Sequence, residues 1–177
     1  KGTKITIANG GQLEVSGGLV NKGTILTTDA TEESQIVGNV ENADGATITN
    51  TTIAGAVKNE KGGRITDGQI TGKVDNSGSI EKTTVIGDVT NVGDIKGSKV
   101  TGDVTNTGSV TGAEITGNVT NEGTVTGADI TGDVSNKGKI ADTTMKADQV
   151  INAENGVITG GSIASKTSEK QPEVTNA

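Results

Sequence analysis

Val74, Val89, Val104, Val119 and Val134 stand 15 residues apart. Six positions after each comes a second aliphatic residue or its equivalent: Ile80, Ile95, Val110, Val125 and Ile140. Eleven positions after each comes a third: Val85, Val100, Ile115, Ile130 and Met145. Two polar or small positions are equally regular, Asn at 76, 91, 106, 121 and 136 and Gly at 78, 93, 108, 123 and 138. The unit reads V-x-N-x-G-x-I-x-x-x-x-I-x-G-x. Residues between these positions vary freely, as in "TGDVTNTGSVTGAEI" (101–115) against "TGNVTNEGTVTGADI" (116–130).

The frame extends in both directions. Turns starting at Val40 and Val57 are 17 residues long, with two extra residues between Asn42 or Asn59 and the next aliphatic residue, Ile48 or Ile65. The turn at Val150 has the same longer form, with Asn152, Ile158 and Ile163. Upstream, Leu19, Asn21, Gly23 and Ile25 match, after which a polar insertion, "TTDATEES", delays the third aliphatic residue to Ile36. Residues 1–18, with Ile5, Ile7, Leu13 and Val15, read as a first partial turn, 19–164 as the repeats and 165–177 as a polar, disordered tail. The unit is too short for a helical solenoid, whose repeats run about 33–47 residues. Val, Ile, Thr, Asn and Gly at nearly every position also disfavour helix and suit strands.

Three aliphatic positions spaced 6, 5 and 4 apart predict three short strands and three corners per turn. The fold class is therefore all-β: a parallel β-helix, or β-solenoid, of triangular cross-section with about 15–17 residues per turn. Stacked turns give three parallel sheets with rungs roughly 4.8 Å apart, and ten turns give a rod roughly 50 Å long. The core is Val74, Val89, Val104, Val119, Val134 and their two companion columns. The recurrent glycines supply the backbone freedom of a corner. Three aliphatic side chains cannot offset the ordering of fifteen residues, so stability must accumulate from turn to turn. Inward positions repeat because each turn is the floor of the next.

Composition narrows the class of function. The chain has 177 residues, with 28 Gly, one Pro, one Met and no Phe, Trp, Tyr, Cys or His. A core without aromatics must be thin. The formal charge of −7 argues against a nucleic-acid binder, which needs a basic stripe. No apolar run approaches the roughly 20 residues of a membrane-spanning helix. No signal peptide is visible before "KGTKITIANGG", which reads as a mature or trimmed start.

Each polar column has a structural and a functional reading. The Asn column (Asn76, Asn91, Asn106, Asn121, Asn136) reads as a ladder of stacked amides rather than a row of ligands. The position before each Val carries Lys73, Asp88, Asp103, Asn118 and Asp133. A carboxylate row would suit Ca²⁺, but Lys73 and Asn118 interrupt it and a solvated face is favoured. The position after each Val carries Asp75, Thr90, Thr105, Thr120 and Ser135, and Thr recurs at Thr71, Thr101, Thr116 and Thr131, giving two columns rich in hydroxyls. They resemble the threonine arrays of insect antifreeze proteins, which place T-x-T pairs on one face. Here only Thr124–Thr126 fits that pattern on its face; the equivalents are Ser79/Glu81, Asp94/Lys96 and Ser109/Thr111. No catalytic constellation appears: with no His or Cys, acid–base and nucleophilic chemistry lack their usual carriers. No phosphate-cradling glycine motif occurs, no cofactor is implied, and the chain is expected not to be an enzyme. Asn50 and Asn118 match the glycosylation sequon.

The strings "NKGTI" (21–25), "NSGSI" (76–80) and "NEGTV" (121–125) look like the N-x-G-x-I element of filamentous-haemagglutinin-type surface exoproteins. Residues 5–25 also resemble repeats of secreted bacterial adhesins and matrix proteins. The resemblance implies a right-handed coil and a location outside the cell or on a bacterial surface. "VIGDV" (85–89) echoes a second family, the bactofilins, whose triangular β-helices polymerise end to end. A bare end rung invites another chain, and no amphipathic cap helix is visible at either end. Two expectations follow: a segment of a longer rod, or subunits stacking on copies of themselves into a fibre, with the tail adding across a neighbour's edge. Cell-surface or matrix components are the other expected partners; nucleic acid and membrane insertion are not.

Overall fold

The fold is described from a computed structural model covering residues 3–8, 10–28, 34–167 and 171–177. Among the described residues there is no helix; there are three parallel sheets, A, B and C, of ten strands each. Each turn of chain contributes one strand to each sheet in the order A, B, C, so strands pair with those three places away in sequence. This is a β-solenoid with three strands per turn and a triangular section. Sheet A runs from Lys4–Ile7 to Val157–Thr159, and sheet B from Gln12–Glu14 to Ser162–Ala164. Sheet C runs from Leu19–Asn21 to Glu173–Asn176.

The register stacks like on like. Ile80, Ile95, Val110, Val125 and Ile140 are successive partners in sheet A. Val85, Val100, Ile115, Ile130 and Met145 follow one another in sheet B. Val74, Val89, Val104, Val119 and Val134 do so in sheet C. Each of these fifteen side chains is at most 2% exposed. Strands of three residues expose two side chains and bury the middle one in sheets A and B. In sheet C both ends of the strand, Val and Asn, turn inward: Val104 and Asn106 are buried and Thr105 between them is exposed.

The glycine column does a different job from the one the spacing suggested. None of Gly78, Gly93, Gly108, Gly123 and Gly138 adopts a left-handed backbone. Their constraint is space. A Cβ on Gly108 would lie 2.2 Å from the carbonyl oxygen of Gly93 one rung below, and the same clash recurs along the column. In the 15-residue turns the left-handed conformation falls at the other two corners; in the longer turns Gly45, Gly62 and Asn155 also carry it at the C-to-A corner. Gly97, Gly112 and Gly127, together with Asn50, Asp67, Lys82 and Asp142, carry φ of 49–62° at the A-to-B corner. Gly87, Gly102 and Gly117 carry φ of 151–155° at the B-to-C corner.

The 17-residue turns keep the register. Their extra residues form four-residue corners between sheets C and A, closed by Ala46 N–H to Ala43 C=O at 3.0 Å and Gly63 N–H to Glu60 C=O at 2.8 Å. Gly156 N–H closes the corner after Asn152 in the same way, on Ala153 C=O at 2.8 Å. Most of the polar insertion after Ile25 lies outside the described residues. Lys4–Ile7 and Gln12–Glu14 are the first strands of sheets A and B and pair with Thr24–Thr27 and Gln35–Val37. One expectation about the ends changes: the tail carries a strand. Glu173–Asn176 pairs in parallel with Gln149–Asn152 of its own chain, completing the tenth strand of sheet C rather than reaching toward a neighbour. Alternating Glu, Val, Thr, Asn repeats the V-x-N signature there; the Pro172 that precedes it and the lysines around it conceal it from composition alone.

The inside–outside assignment is directly testable. Val110→Asp puts an unpaired charge into the dry column and is expected to cost about 3–5 kcal/mol. Thr111→Asp, on the exposed position next to it, is expected to change stability by less than about 0.5 kcal/mol. Urea-unfolding midpoints of the two variants provide the check.

Candidate functional site

The most organised polar feature is a single-file chain of amides inside the rod. Asn21, Asn42, Asn59, Asn76, Asn91, Asn106, Asn121, Asn136 and Asn152 each pass one hydrogen bond to the next, the last to Asn176. Every link runs from Nδ2 to Oδ1 at 2.7–2.8 Å. All the donors point toward the C-terminal end. The direction is fixed by neighbours, because from Asn21 to Asn152 each Nδ2 also donates to a backbone carbonyl. Asn91 Nδ2 reaches Gly93 C=O at 3.0 Å and Ser109 C=O at 3.2 Å; an inverted amide would set oxygen against oxygen. Asn42 to Asn136 are essentially inaccessible, so their amides are structural and unavailable to an outside ligand. Asn176 is the member that the repeat frame did not reveal.

The Asp column is a second ladder, on the outside of the B-to-C corner. Asp88 Oδ1 accepts from the Asp103 amide at 2.9 Å, Asp103 Oδ1 from Asn118 at 2.7 Å, and Asn118 Oδ1 from Asp133 at 2.9 Å. Asp133 Oδ1 accepts from Asp148 at 3.0 Å and from Gln149 at 3.1 Å. Asn39 does the same for the Ala56 amide at 3.0 Å. Each side chain satisfies the corner amide of the rung above, which explains why Asn118 can replace Asp in the row: one oxygen is what the position requires. Among the described residues no group of three or more acidic side chains is placed to hold a metal ion.

A third column escaped the sequence reading. At the A-to-B corner Thr51, Thr83, Ser98, Ala113, Ala128 and Thr143 point inward and are buried. Their hydroxyls fold back on the chain: Thr83 Oγ1 donates to Glu81 C=O at 3.0 Å, Ser98 Oγ to Lys96 C=O at 3.1 Å and Thr143 Oγ1 to Ala141 C=O at 2.9 Å. The available signal was the restriction of this position to small residues at the repeat period. No buried side-chain N or O among the described residues lacks a partner.

The outward threonines lie where the repeat places them. Thr90, Thr105, Thr120, Thr101, Thr116 and Thr131 are exposed, on two sheets flanking the B-to-C corner rather than on one flat face. Sheet A carries a second T-x-T pair at Thr47–Thr49, in a turn whose insertion hid it from the 15-residue frame. Salt bridges are peripheral, such as Lys99–Glu114 at 2.9 Å and Arg64–Glu81 at 2.8 Å. A depression of about 310 Å³ near Leu19, Val20, Ala56 and Lys58 is shallow and open to water.

The two ends differ from the shaft. Ile5, Leu13 and Leu19 at one end, and Ile158 and Ile163 at the other, pack on the core yet remain half-buried. Val174 is 54% exposed, whereas the same columns one rung inward, at Ile25, Ile36, Val40, Ile140, Met145 and Val150, are closed. Among the described residues no helix is long and apolar enough to cross a membrane. No protein-family model matches the chain, no curated protein matches it in sequence, and no solved structure matches it in fold.

Lys166 folds back over the last corners, its Nζ 2.9 Å from Asp133 Oδ1 and 3.8 Å from Asp148 Oδ2. The Lys166 ammonium holds the Asp133 carboxyl below its usual value, aided by the amides of Gln149 and Asp148 and opposed by partial desolvation. A depressed carboxyl contributes at neutral pH and loses that contribution as pH falls below about 4 and through the lowered folded value.

Two expectations follow. Asn106→Ala removes the donor to Asn121 and the acceptor of Asn91, and is expected to cost about 2–4 kcal/mol; Asn176→Ala, at the open end, about 1 kcal/mol or less. Chemical denaturation of both variants measures the difference. Amide relaxation at Thr175 is expected to show a looser last strand in Lys166→Ala at neutral pH, and in the native sequence as pH drops from 7 toward 3. Relaxation unchanged in both comparisons removes Lys166 from the account.

Proposed function

We propose that the protein is a structural, non-enzymatic β-solenoid subunit that forms, or is part of, an extracellular filament or matrix fibre by end-to-end stacking on a bacterial surface. The observation that carries this reading is axial stacking. Three aliphatic columns and three parallel ladders run through the described residues, and the outermost rungs hold Ile5, Leu13, Leu19, Ile158 and Ile163 only half-buried against the core. A parallel strand edge accepts a further strand. The rod's activity is mechanical: parallel ladders and stacked columns transmit load along one axis. The resemblance to filamentous-haemagglutinin-type exoproteins and to bactofilins supports a filamentous role and, for the former, the extracellular location. Matrix or surface components are the expected neighbours of such a fibre.

The exposed hydroxyl columns, Thr90–Thr105–Thr120 and Thr101–Thr116–Thr131, favour a second reading as an adhesin shaft or ice-binding module. Thermal hysteresis or glycan binding by the purified protein distinguishes it.

Filament formation is expected on concentration. Electron microscopy should show threads of the rod's own width whose length grows with protein concentration, and sedimentation should show species larger than the monomer. Isolated short rods at millimolar concentration would refute the reading.

A further inference from the structure

Resting on the end-to-end reading, we infer that the partner at each end is a second copy of this chain in head-to-tail orientation, with Asn176 of one copy donating to Asn21 of the next. The first support is the register of the outermost described rungs. Val157–Thr159, Ser162–Ala164 and Glu173–Asn176 lie one in each sheet, as do Lys4–Ile7, Gln12–Glu14 and Leu19–Asn21. The next copy's Lys4–Ile7, Gln12–Glu14 and Leu19–Asn21 can seat on Val157–Thr159, Ser162–Ala164 and Glu173–Asn176 as three ordinary rungs.

The second support is polarity. Asn176 takes the Asn152 donor on its Oδ1; in the ladder an amide that accepts from the rung below donates to the rung above, as Asn136 does between Asn121 and Asn152. At the N-terminal end Asn21 sends its own Nδ2 inward, to Asn42 Oδ1 at 2.8 Å and Thr47 C=O at 3.1 Å. Its Oδ1 takes the Gly23 amide at 3.1 Å and keeps a second lone pair for a donor from below. One end therefore offers an amide donor and the other an amide acceptor, at the same corner. Two N-terminal ends would meet oxygen to oxygen and two C-terminal ends N–H to N–H. Parallel pairing, used by every strand pair of the rod, is likewise continued only head to tail.

The third support is the register this junction imposes. Continuing the internal pairing sets Ile158 on Ile5, Ile163 on Leu13 and Val174 on Leu19, so the half-open apolar side chains close on one another. The outward pairs are Val157 with Lys4, Thr159 with Thr6, Ser162 with Gln12, Ala164 with Glu14 and Thr175 with Val20. None opposes like charges, which directly opposed strand positions penalise.

The absence of native cysteine makes the orientation readable. Val20, 52% exposed, and Thr175, also exposed, become cross-strand neighbours at the junction. A parallel neighbour at roughly 4.8 Å is within reach of a disulfide. Single Val20→Cys and Thr175→Cys variants of the full chain are oxidised separately and as a mixture. The expected result is a dimer in the mixture that contains one copy of each variant, with neither variant dimerising alone. Filaments that form but give Val20–Val20 or Thr175–Thr175 dimers overturn the orientation and leave the end-to-end reading standing. No filament by microscopy overturns both. Asn176→Asp keeps the oxygen that Asn152 needs and removes the outward donor. It is expected to retain the β-sheet circular-dichroism spectrum and lose long filaments; filaments of native length would overturn the role given to Asn176.

Discussion

A buried asparagine amide cannot be satisfied within one turn of this chain. Its oxygen needs a donor from below and its nitrogen an acceptor above, so each turn is chemically incomplete without its neighbours. The same incompleteness governs the rest of the rod. Strand edges find their partners one rung away, and the corner amides find the carboxylates of the turn beneath. The aliphatic columns exclude water only when another aliphatic side chain lies on top. Stability is thus a property of adjacency, and the glycine column shows how close the adjacency is, since the carbonyl of one rung occupies the place a side chain would take on the next.

Adjacency also sets a direction. Every amide of the internal ladder points the same way, every strand runs the same way, and the outer carboxylates all accept from the turn that follows. A rod built like this has unlike ends even though its middle is nearly uniform. Its surface chemistry, by contrast, carries little organisation: hydroxyls on two faces, scattered ion pairs and an open depression. That contrast puts the molecule's chemical organisation along its axis rather than on its flank.

The inward positions were legible in the sequence because burial tolerates few alternatives at each: Val89, Ile95 and Val100 announce three columns by recurrence alone. What was illegible had weaker chemical selection or a broken period. The small-residue corner at Thr83, Ser98 and Ala113 mixes hydroxyl and methyl, so it looks variable until it is seen to be uniformly small. Asp103 and Asn118 suggest a charge pattern, whereas the requirement is a single acceptor oxygen. Glu173–Asn176 stands apart from the frame, after a stretch with its own composition, and its membership of sheet C shows only in its pairing with Gln149–Asn152. The glycines were found but their cause was misassigned, because spacing reveals that a residue must be small without saying whether conformation or crowding demands it.

The four-residue corners after Asn42, Asn59 and Asn152 lengthen the turn without moving a single inward side chain out of its column. All three lie on the same long edge of the prism, between sheets C and A. That edge therefore behaves as a tolerant seam, along which added loops project sideways while the shaft keeps its pitch. Foreign peptides grafted there would be displayed at intervals set by the backbone itself, like pegs along a ruler.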